Sequence, residues 1–396
     1  MNPEWRSCKL GDVITLKRGY DLPNHERKPG PFPVVSSSGV TDHHAEAKVT
    51  GPGVVTGRYG TLGQVFLIVG DFWPLNTSLY VNDFKGNDPR FVSYLLRTLN
   101  FATQNAAGAV PGVNRNHLHA MNVSVPDLPE QRRIAGILSA YDDLIENCER
   151  RIRVLEEMAR ALYREWFVLF RYPGHEKTPL VDSALGRIPR GWRCSDVASV
   201  SDGPEGVQTG PFGSQLHQEE YAREGIPLVM PKDLRGFRID EGDIARVPEE
   251  VADRVSRHRM KVGDIVYGRR GDIGRRAFVM EHQVGTICGT GCLRIRPNSR
   301  AVDGWYLFNY LGQENVVTLI SGRAQGVTMP NLNTKLLATV PIIVPPRALQ
   351  DEFAARTFQL AVQRERLFAM MRNLAQTRDL LLPRLLSGQL SIEDAA

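Results

Sequence analysis

The chain states one pattern twice. Gly57-Arg58-Tyr59-Gly60-Thr61-Leu62-Gly63 recurs as Gly268-Arg269-Arg270-Gly271-Asp272-Ile273-Gly274. Gly108, Gly112, Val113 and Leu118 find matching positions at Gly322, Gly326, Val327 and Leu332. Each copy then runs through a Val-Pro pair, Val125-Pro126 or Val344-Pro345, into a glutamine, Gln131 or Gln350, that opens a long helical stretch. A chain ordered as globule, long helix, globule, long helix is expected to fold with approximate two-fold symmetry. Two similar but non-identical globules at a fixed spacing suit a ligand that is itself long and bipartite.

The helical stretches are written in heptads. Ile134, Leu138, Tyr141, Ile145, Cys148, Ile152, Leu155, Ala159, Leu162 and Trp166 alternate steps of four and three, which is the seam of a coiled coil. Charged residues of both signs, among them Arg132, Asp142, Glu149, Arg150, Glu156 and Arg164, fill the other faces. The second stretch places Phe353, Leu360, Leu367, Leu374 and Leu381 at seven-residue intervals, and Thr357, Arg364 and Arg378 interrupt its interleaved positions. Each helix is predicted to span about 38 residues, or roughly 55–60 Å. Equal lengths fit an antiparallel pair within one chain, favoured by high local concentration and able to act as a ruler between the globules. A coiled coil between two chains is the other arrangement open to this pattern.

At 396 residues the chain exceeds one ordinary core and suits two domains with connecting elements. The predicted division is 1–128 for the first globule, 129–170 for the first helix, 171–348 for the second globule, and 349–396 for the second helix and tail. In the first globule, Val13 to Leu16, Val54 to Thr56, Gln64 to Val69 and Leu79 to Val81 read as short strands between turn residues. A helix is expected from Pro89 to Thr103, with Phe91, Tyr94, Leu95 and Leu99 on one face. In the second, Asp264 to Tyr267 and Arg276 to Val279 flank the glycine motif as strands, and Trp305 to Leu311 supplies the matching helix. Three glycines in seven residues require a tight backbone turn, either a hairpin or bulge closing a sheet or a loop that cradles phosphate. Neither copy has the Lys-Ser/Thr ending of a nucleotide-binding loop.

Composition limits the alternatives. The chain is 42% hydrophobic and 23% charged, without an apolar run long enough to span a bilayer, so no membrane partner is expected. Its first residues lack the order of a secretory signal. Five scattered cysteines argue for a reducing, cytoplasmic setting rather than a disulfide framework. Cys288 and Cys292 are expected to be buried thiols, and His43-His44 and His117-x-His119 to be loop residues, so no metal site is expected. A net charge of +5 permits nucleic-acid binding without requiring it.

Four further stretches carry a family resemblance: Leu185 to Trp192 (LGRIPRGW), Thr209 to Leu216 (TGPFGSQL), Arg164 to Phe167 (REWF) and Leu382 to Leu390 (LPRLLSGQL). Together, and over the whole chain in the family's order, they resemble the specificity subunits of type I restriction-modification systems. The resemblance implies an α+β fold, with two pseudo-symmetric α/β target-recognition domains joined by two long helices in an antiparallel coiled coil. Each domain would read one half of a bipartite site in double-stranded DNA. The helices would set the unread gap and dock two modification subunits, which methylate adenine at N6 with S-adenosylmethionine. ATP and Mg would serve the restriction (motor-nuclease) subunits. This chain would be a non-catalytic partner carrying no cofactor, in keeping with its lack of Asn-Pro-Pro-Tyr, Phe-x-Gly-x-Gly and Gly-Lys-Ser/Thr motifs. Its first globule departs from the family's pattern in lacking a Gly-Pro-Phe-Gly-Ser segment like the one at Gly210 to Ser214. Two rival readings are a self-sufficient restriction or modification enzyme and a coiled-coil adaptor without a nucleic-acid role.

Base readout needs paired donors and acceptors, and backbone contact needs cations, hydroxyls or free amides. In the first globule Lys17, Arg18, Ser36, Ser37, Arg58, Asn114 and Arg115 offer these groups. Asn114 and Asn116 have a second reading as caps of the turn into Leu118. In the second globule the candidates are Gln208, Thr209, Ser214, Gln215, Lys232, Arg269, Arg270, Arg323 and Gln325.

Overall fold

A computed structural model describes residues 5–99, 101, 112–270, 272–323 and 331–390. The chain divides into two compact units, Met1–Arg150 with Phe368–Ala396, and Arg151–Leu367. The first is therefore discontinuous in sequence, and each of the two longest helices contributes to both.

The first unit runs β1 (Arg6–Lys9), α1 (Leu10–Val13), β2 (Thr15–Arg18), β3 (Phe32–Ser36), β4 (Gly39–His44), β5 (Gly53–Gly57), β6 (Val65–Ile68), β7 (Trp73–Pro74), β8 (Ser78–Asp83), α2 (Pro89–Thr98), α3 (Arg115–His119), β9 (Asn122–Val125) and the start of α4 (Leu128–Tyr163). Its sheets are β2-β8-β5-β6, β4-β3-β7 and the pair β1-β9. Strand β5 lies between two neighbours and is buried at every position, which is why Val54-Val55-Thr56 carries no polar alternation.

The second unit takes the rest of α4, which continues into a π-helical turn at Arg164–Val168. It then runs β10 (Leu180–Ser183), β11 (Gly186–Pro189), β12 (Arg193–Asp196), β13 (Val207–Thr209), β14 (Ile226–Val229), β15 (Leu234–Arg235), β16 (Arg238–Ile239), β17 (Ala245–Val247), α5 (Glu249–Arg254), β18 (Ile265–Gly268), β19 (Arg276–Phe278), β20 (Ile287–Cys288), β21 (Cys292–Ile295), α6 (Gly304–Tyr310), α7 (Glu314–Arg323), α8 (Thr334–Ala338), β22 (Pro341–Val344) and α9 (Arg347–Leu386). Its sheets are β13-β21-β18-β19, β17-β14-β20 and β12-β22. Strand for strand this is the first unit's topology, down to the one parallel pair in each three-stranded sheet, β3-β7 and β14-β20. The hairpins β10-β11 and β15-β16 have no counterpart among the described residues of the first unit.

The glycine motif is the β5–β6 connection in one unit and the β18–β19 connection in the other. A Cβ on Gly57 would meet the Thr61 carbonyl oxygen at 1.9 Å, and Gly60 and Gly63 take φ of 77° and 81°. The motif is a hairpin that only glycine can close this tightly. Gly271 lies outside the described residues, as do Gly108, Gly326 and Val327.

Three expectations need correction. Val13 closes α1 instead of opening a strand, because Leu10 and Val13 bury one face of that turn. The helix expected over 89–103 ends at Thr98, and Leu99 already has extended backbone; Asp88 caps its start, its Oδ1 accepting from the Phe91 amide at 2.9 Å. The repeat also shifts register: the Val113 amide donates to the Arg58 carbonyl, and the Leu332 amide donates to the Arg269 carbonyl, both at 2.9 Å. Val113 therefore corresponds to Leu332, and Leu118 to Leu337, both fully buried.

The heptad seam is buried or half-buried at all ten positions, nine in α4 and the tenth, Trp166, in the π-helical turn that follows. In the first unit Ile134, Ala135 and Leu138 share a core with Leu385 and Leu386 of α9. In the second, Tyr163, Trp166 and Phe167 surround Phe353, with ring centroids 5.7, 6.2 and 5.1 Å away. Rising positions on α4 meet falling positions on α9 within each unit, so the pairing is antiparallel. The three polar interruptions of the α9 seam have partners there. Arg378 Nη1 donates to Asp142 Oδ1 at 2.5 Å, Arg364 lies 3.5 Å from Glu156, and Thr357 accepts from Trp305 Nε1 at 2.9 Å. Asp142 also accepts from the Tyr94 hydroxyl and from Arg97. Burial opposes its ionisation, but the Tyr94 and Arg378 hydrogen bonds outweigh that and hold its carboxyl below the usual range.

Candidate nucleic-acid interface

In the first unit the hairpin after β5 and the segment entering α3 are tied by backbone hydrogen bonds, including a bridge between Tyr59 and Gly112. Their meeting forms an open cleft of about 470 Å³ that gathers Arg18, Arg58, Tyr59, Asn114 and Arg115. Arg58 stacks over the Tyr59 ring at 4.6 Å, which orders its guanidinium without neutralising it. Arg18 sits 3.6 Å from Asp21, both exposed. Asn114 caps α3, its Oδ1 accepting from the Asn116 amide at 2.9 Å, which leaves both donors on nitrogen and one lone pair on oxygen. Lys17 lies 5.6 Å from the Tyr20 ring. Ser36 Oγ bonds Ser38 Oγ at 2.9 Å, and Ser37 packs beside Gly57.

The second unit repeats the junction. Arg270 bridges Asn331, and Arg269 Nε donates to Asn331 Oδ1 at 3.0 Å and to the Leu332 carbonyl at 3.1 Å. Asn333 caps α8 as Asn114 caps α3, accepting from the Leu336 amide. Asn331 and Asn333 were not among the sequence candidates. Their signal was present, because Asn333 precedes Leu337 and the Val344-Pro345 pair by the same spacings that separate Asn114 from Leu118 and Val125-Pro126.

The remaining candidates of this unit fall elsewhere. Ser214 and Gln215 line a cleft of about 420 Å³ with His217, Arg254 and Arg257. Gln215 Oε1 is taken up by the Phe212 amide, which leaves the Phe212 ring exposed at the loop tip. Gln208 and Thr209 stand in β13, opposite Arg294 and Leu293, and the Gln208 Oε1 is buried without a partner. Lys232 donates to the Asp243 carbonyl at 2.8 Å, in a groove with Arg235 and Arg275. Arg323 donates to the Thr339 carbonyl at 3.1 Å, and Gln325 lies outside the described residues.

The four histidines singled out above lie in regular elements, and two of them hold backbone amides. His43 and His44 stand in β4 and His117 and His119 in α3, not in loops. His44 Nδ1 accepts from the Lys28 amide and His119 Nε2 from the Leu16 amide, at 3.0 and 2.9 Å. Among the described residues no group of three or more His, Cys, Asp or Glu is arranged to hold a metal ion, and no helix is long and apolar enough to cross a membrane. Cys288 and Cys292 are buried beside Val229 and Leu234, where burial pushes the Cys288 thiol up to about 12.

His258 makes one measurable prediction. Burial first, then Arg257 and Arg294, lower its pKa from 6.5 to about 4. Between those values the unfolded chain binds a proton that the folded chain refuses, so the stabilisation is complete above pH 6.5 and is lost as pH falls toward 4. The expected loss is on the order of 2–3 kcal/mol. Urea unfolding at pH 7 and pH 4.5 should show a smaller pH dependence in His258→Gln than in the wild type; equal slopes would discard the assignment.

A family model for the type I restriction modification DNA specificity domain matches residues 2–157. The MjaIX specificity subunit of Methanocaldococcus jannaschii is 25% identical over 298 residues, covering 72% of this chain and 64% of that protein, so the match spans less than two thirds of its length. The MjaVIII specificity subunit of the same organism is 22% identical, covering 89% of this chain and 85% of the relative. The EcoDI specificity subunit of Escherichia coli is 21% identical, covering 90% and 81%. Among solved structures, the type I restriction-modification S subunit from M. genitalium superposes with a TM-score of 0.67 at 18% identity, over 97% of this chain and 96% of that one, which shows a shared fold.

Proposed function

This chain belongs to the specificity (S) subunits of type I restriction-modification systems, and on that premise we propose that it selects the DNA sequence on which a larger complex acts. Residues 1–128 and 171–348 are the two target-recognition domains, each reading one half of a bipartite site. Residues 129–170 and 349–396 are the spacers that set the unread gap and dock two modification subunits. The restriction subunits join that core in the cytoplasm. Methyl transfer and strand cleavage belong to those partners, and this chain contributes choice of target.

One observation supports this reading above the others: the same hairpin-to-capped-helix junction is built twice, with arginines at its mouth each time. Guanidiniums suit both phosphate oxygens and guanine edges. Cations at the mouth of this junction, at the end of β2, in the hairpin and at the start of α3, suit contact with the backbone, and the nearby asparagine amides and Tyr59 offer groups suited to base edges. We assign Arg18, Arg58 and Arg115 to phosphate contact in the first half-site, and Arg269 and Arg270 to the second.

The test is salt dependence. In the complex with modification subunits, Arg18→Gln, Arg58→Gln and Arg115→Gln together should lower the slope of log affinity against log salt by about 2.7, at roughly 0.9 per phosphate. Binding should weaken alike on specific and unrelated DNA. An unchanged slope would remove this cleft from the interface.

A further inference from the structure

The second unit buries an arginine that has no carboxylate. Arg276, on β19, is 5% exposed and takes part in no ion pair among the described residues. Its Nε and Nη1 reach only the carbonyls of Phe308 and Gly274, both at 3.3 Å. The guanidinium lies between two aromatic faces, 4.7 Å from the Phe237 ring and 5.0 Å from the Phe308 ring. Gly312 makes room for it: a Cβ there would sit 1.6 Å from Nη2. Phe237 holds its place at some cost, since it takes φ of 59° in the turn between β15 and β16.

This guanidinium lines a cavity of about 180 Å³. Trp305, Phe308, Leu360 and Ala361 give the cavity flat and apolar walls, while Arg160 and Arg364 stand against a single lining carboxylate, Glu156. Glu156 is already shared by Arg160 and Arg364, and Arg364 also pairs with Glu365 at 2.9 Å although its Nε is buried without a partner, so Arg276 is the lining arginine with no ion pair among the described residues. A buried cation lacking a counter-ion is costly unless something supplies one. The space is close to that of a cavity of about 150 Å³ known to accept one benzene ring.

We infer that this cavity is a binding site for a small single-ring carboxylate, the ring packing against Trp305, Leu360 and Ala361 and the carboxylate meeting Arg276, which Phe237 and Phe308 hold in place. The site needs both halves of that chemistry. Charge alone leaves the apolar wall of Trp305, Leu360 and Ala361 uncovered, and a neutral ring leaves the guanidinium unpaired. It involves none of the residues assigned to DNA, so it stands or falls separately from the DNA reading.

Benzoate is the probe, titrated calorimetrically into the full chain alongside acetate and benzyl alcohol. Benzoate is expected to bind with a dissociation constant on the order of a millimolar or tighter, and the other two at least tenfold more weakly. Arg276→Met should abolish benzoate binding. Should that buried substitution unfold the protein, Phe237→Ala at the exposed hairpin tip should weaken benzoate about tenfold with the fold intact. No benzoate binding at about 10 mM, equal binding of acetate, or an unaffected Phe237→Ala would each overturn the inference.

Discussion

Replacing residues 1–128 with the matching residues of another specificity subunit will change one half of the methylated sequence and leave the other half as it was. Each recognition fold closes its own sheets, so the loops proposed to read bases in one copy need nothing from the other. Each mismatched base pair costs about 1–3 kcal/mol, so a half-site of three or four changed bases lowers affinity for the old sequence by several orders of magnitude. The exchange has one structural condition. Val123, Val125 and Leu118 share a core with Ile134, Leu138, Leu385 and Leu386, so the donor must present compatible side chains to the helices at that seam. Mapping methylated adenines by long-read sequencing, in cells carrying the exchanged subunit with its partners, gives the result directly. If both halves of the site change, readout is not modular and the proposed division is wrong.

Phe353→Ala will cost the second unit about 3–5 kcal/mol, the range for removing a buried aromatic ring. Phe353 is fully buried on α9, with Tyr163, Trp166 and Phe167 around it, and its carbonyl accepts from the Thr357 hydroxyl that also holds Trp305. Removing the ring leaves a void bounded by rigid aromatics, which collapse poorly. Urea unfolding followed by tryptophan fluorescence should report it, because Trp166 and Trp305 lie at the site. Leu380→Ala, on the same helix but 67% exposed, should stay within about 0.5 kcal/mol. A Phe353→Ala loss below about 1 kcal/mol would mean that this aromatic cluster is not what fastens α9 in the second unit.

Much of the fold was legible because it is periodic. Ile134 to Trp166 and Phe353 to Leu381 declared their helices through spacing alone, and the repeated glycine motif marked both hairpins, the first of which needs glycine at Gly57, Gly60 and Gly63. Local capping was legible too: Asn114 could be read as a cap, and it is one. The sequence misplaced what depends on distant partners. It aligned Leu118 with Leu332, since nearby glycines looked alike, whereas the hydrogen bonds from Val113 and Leu332 pair Leu118 with Leu337. It took Thr357, Arg364 and Arg378 as breaks in the seam, although each meets a polar side chain in its unit.

By itself, then, the chain's order of residues determined two copies of one architecture, two heptad helices and the chemical character of the loops, all of which are carried by neighbours within a few turns or strands. Only the tertiary structure decided which candidate residues share a cleft, as Arg18, Arg58 and Arg115 do, and which buried cation has no counter-ion among the described residues, as Arg276 shows. The reason is physical: periodicity is a property of adjacent residues, but burial and pairing are settled between side chains far apart in the chain.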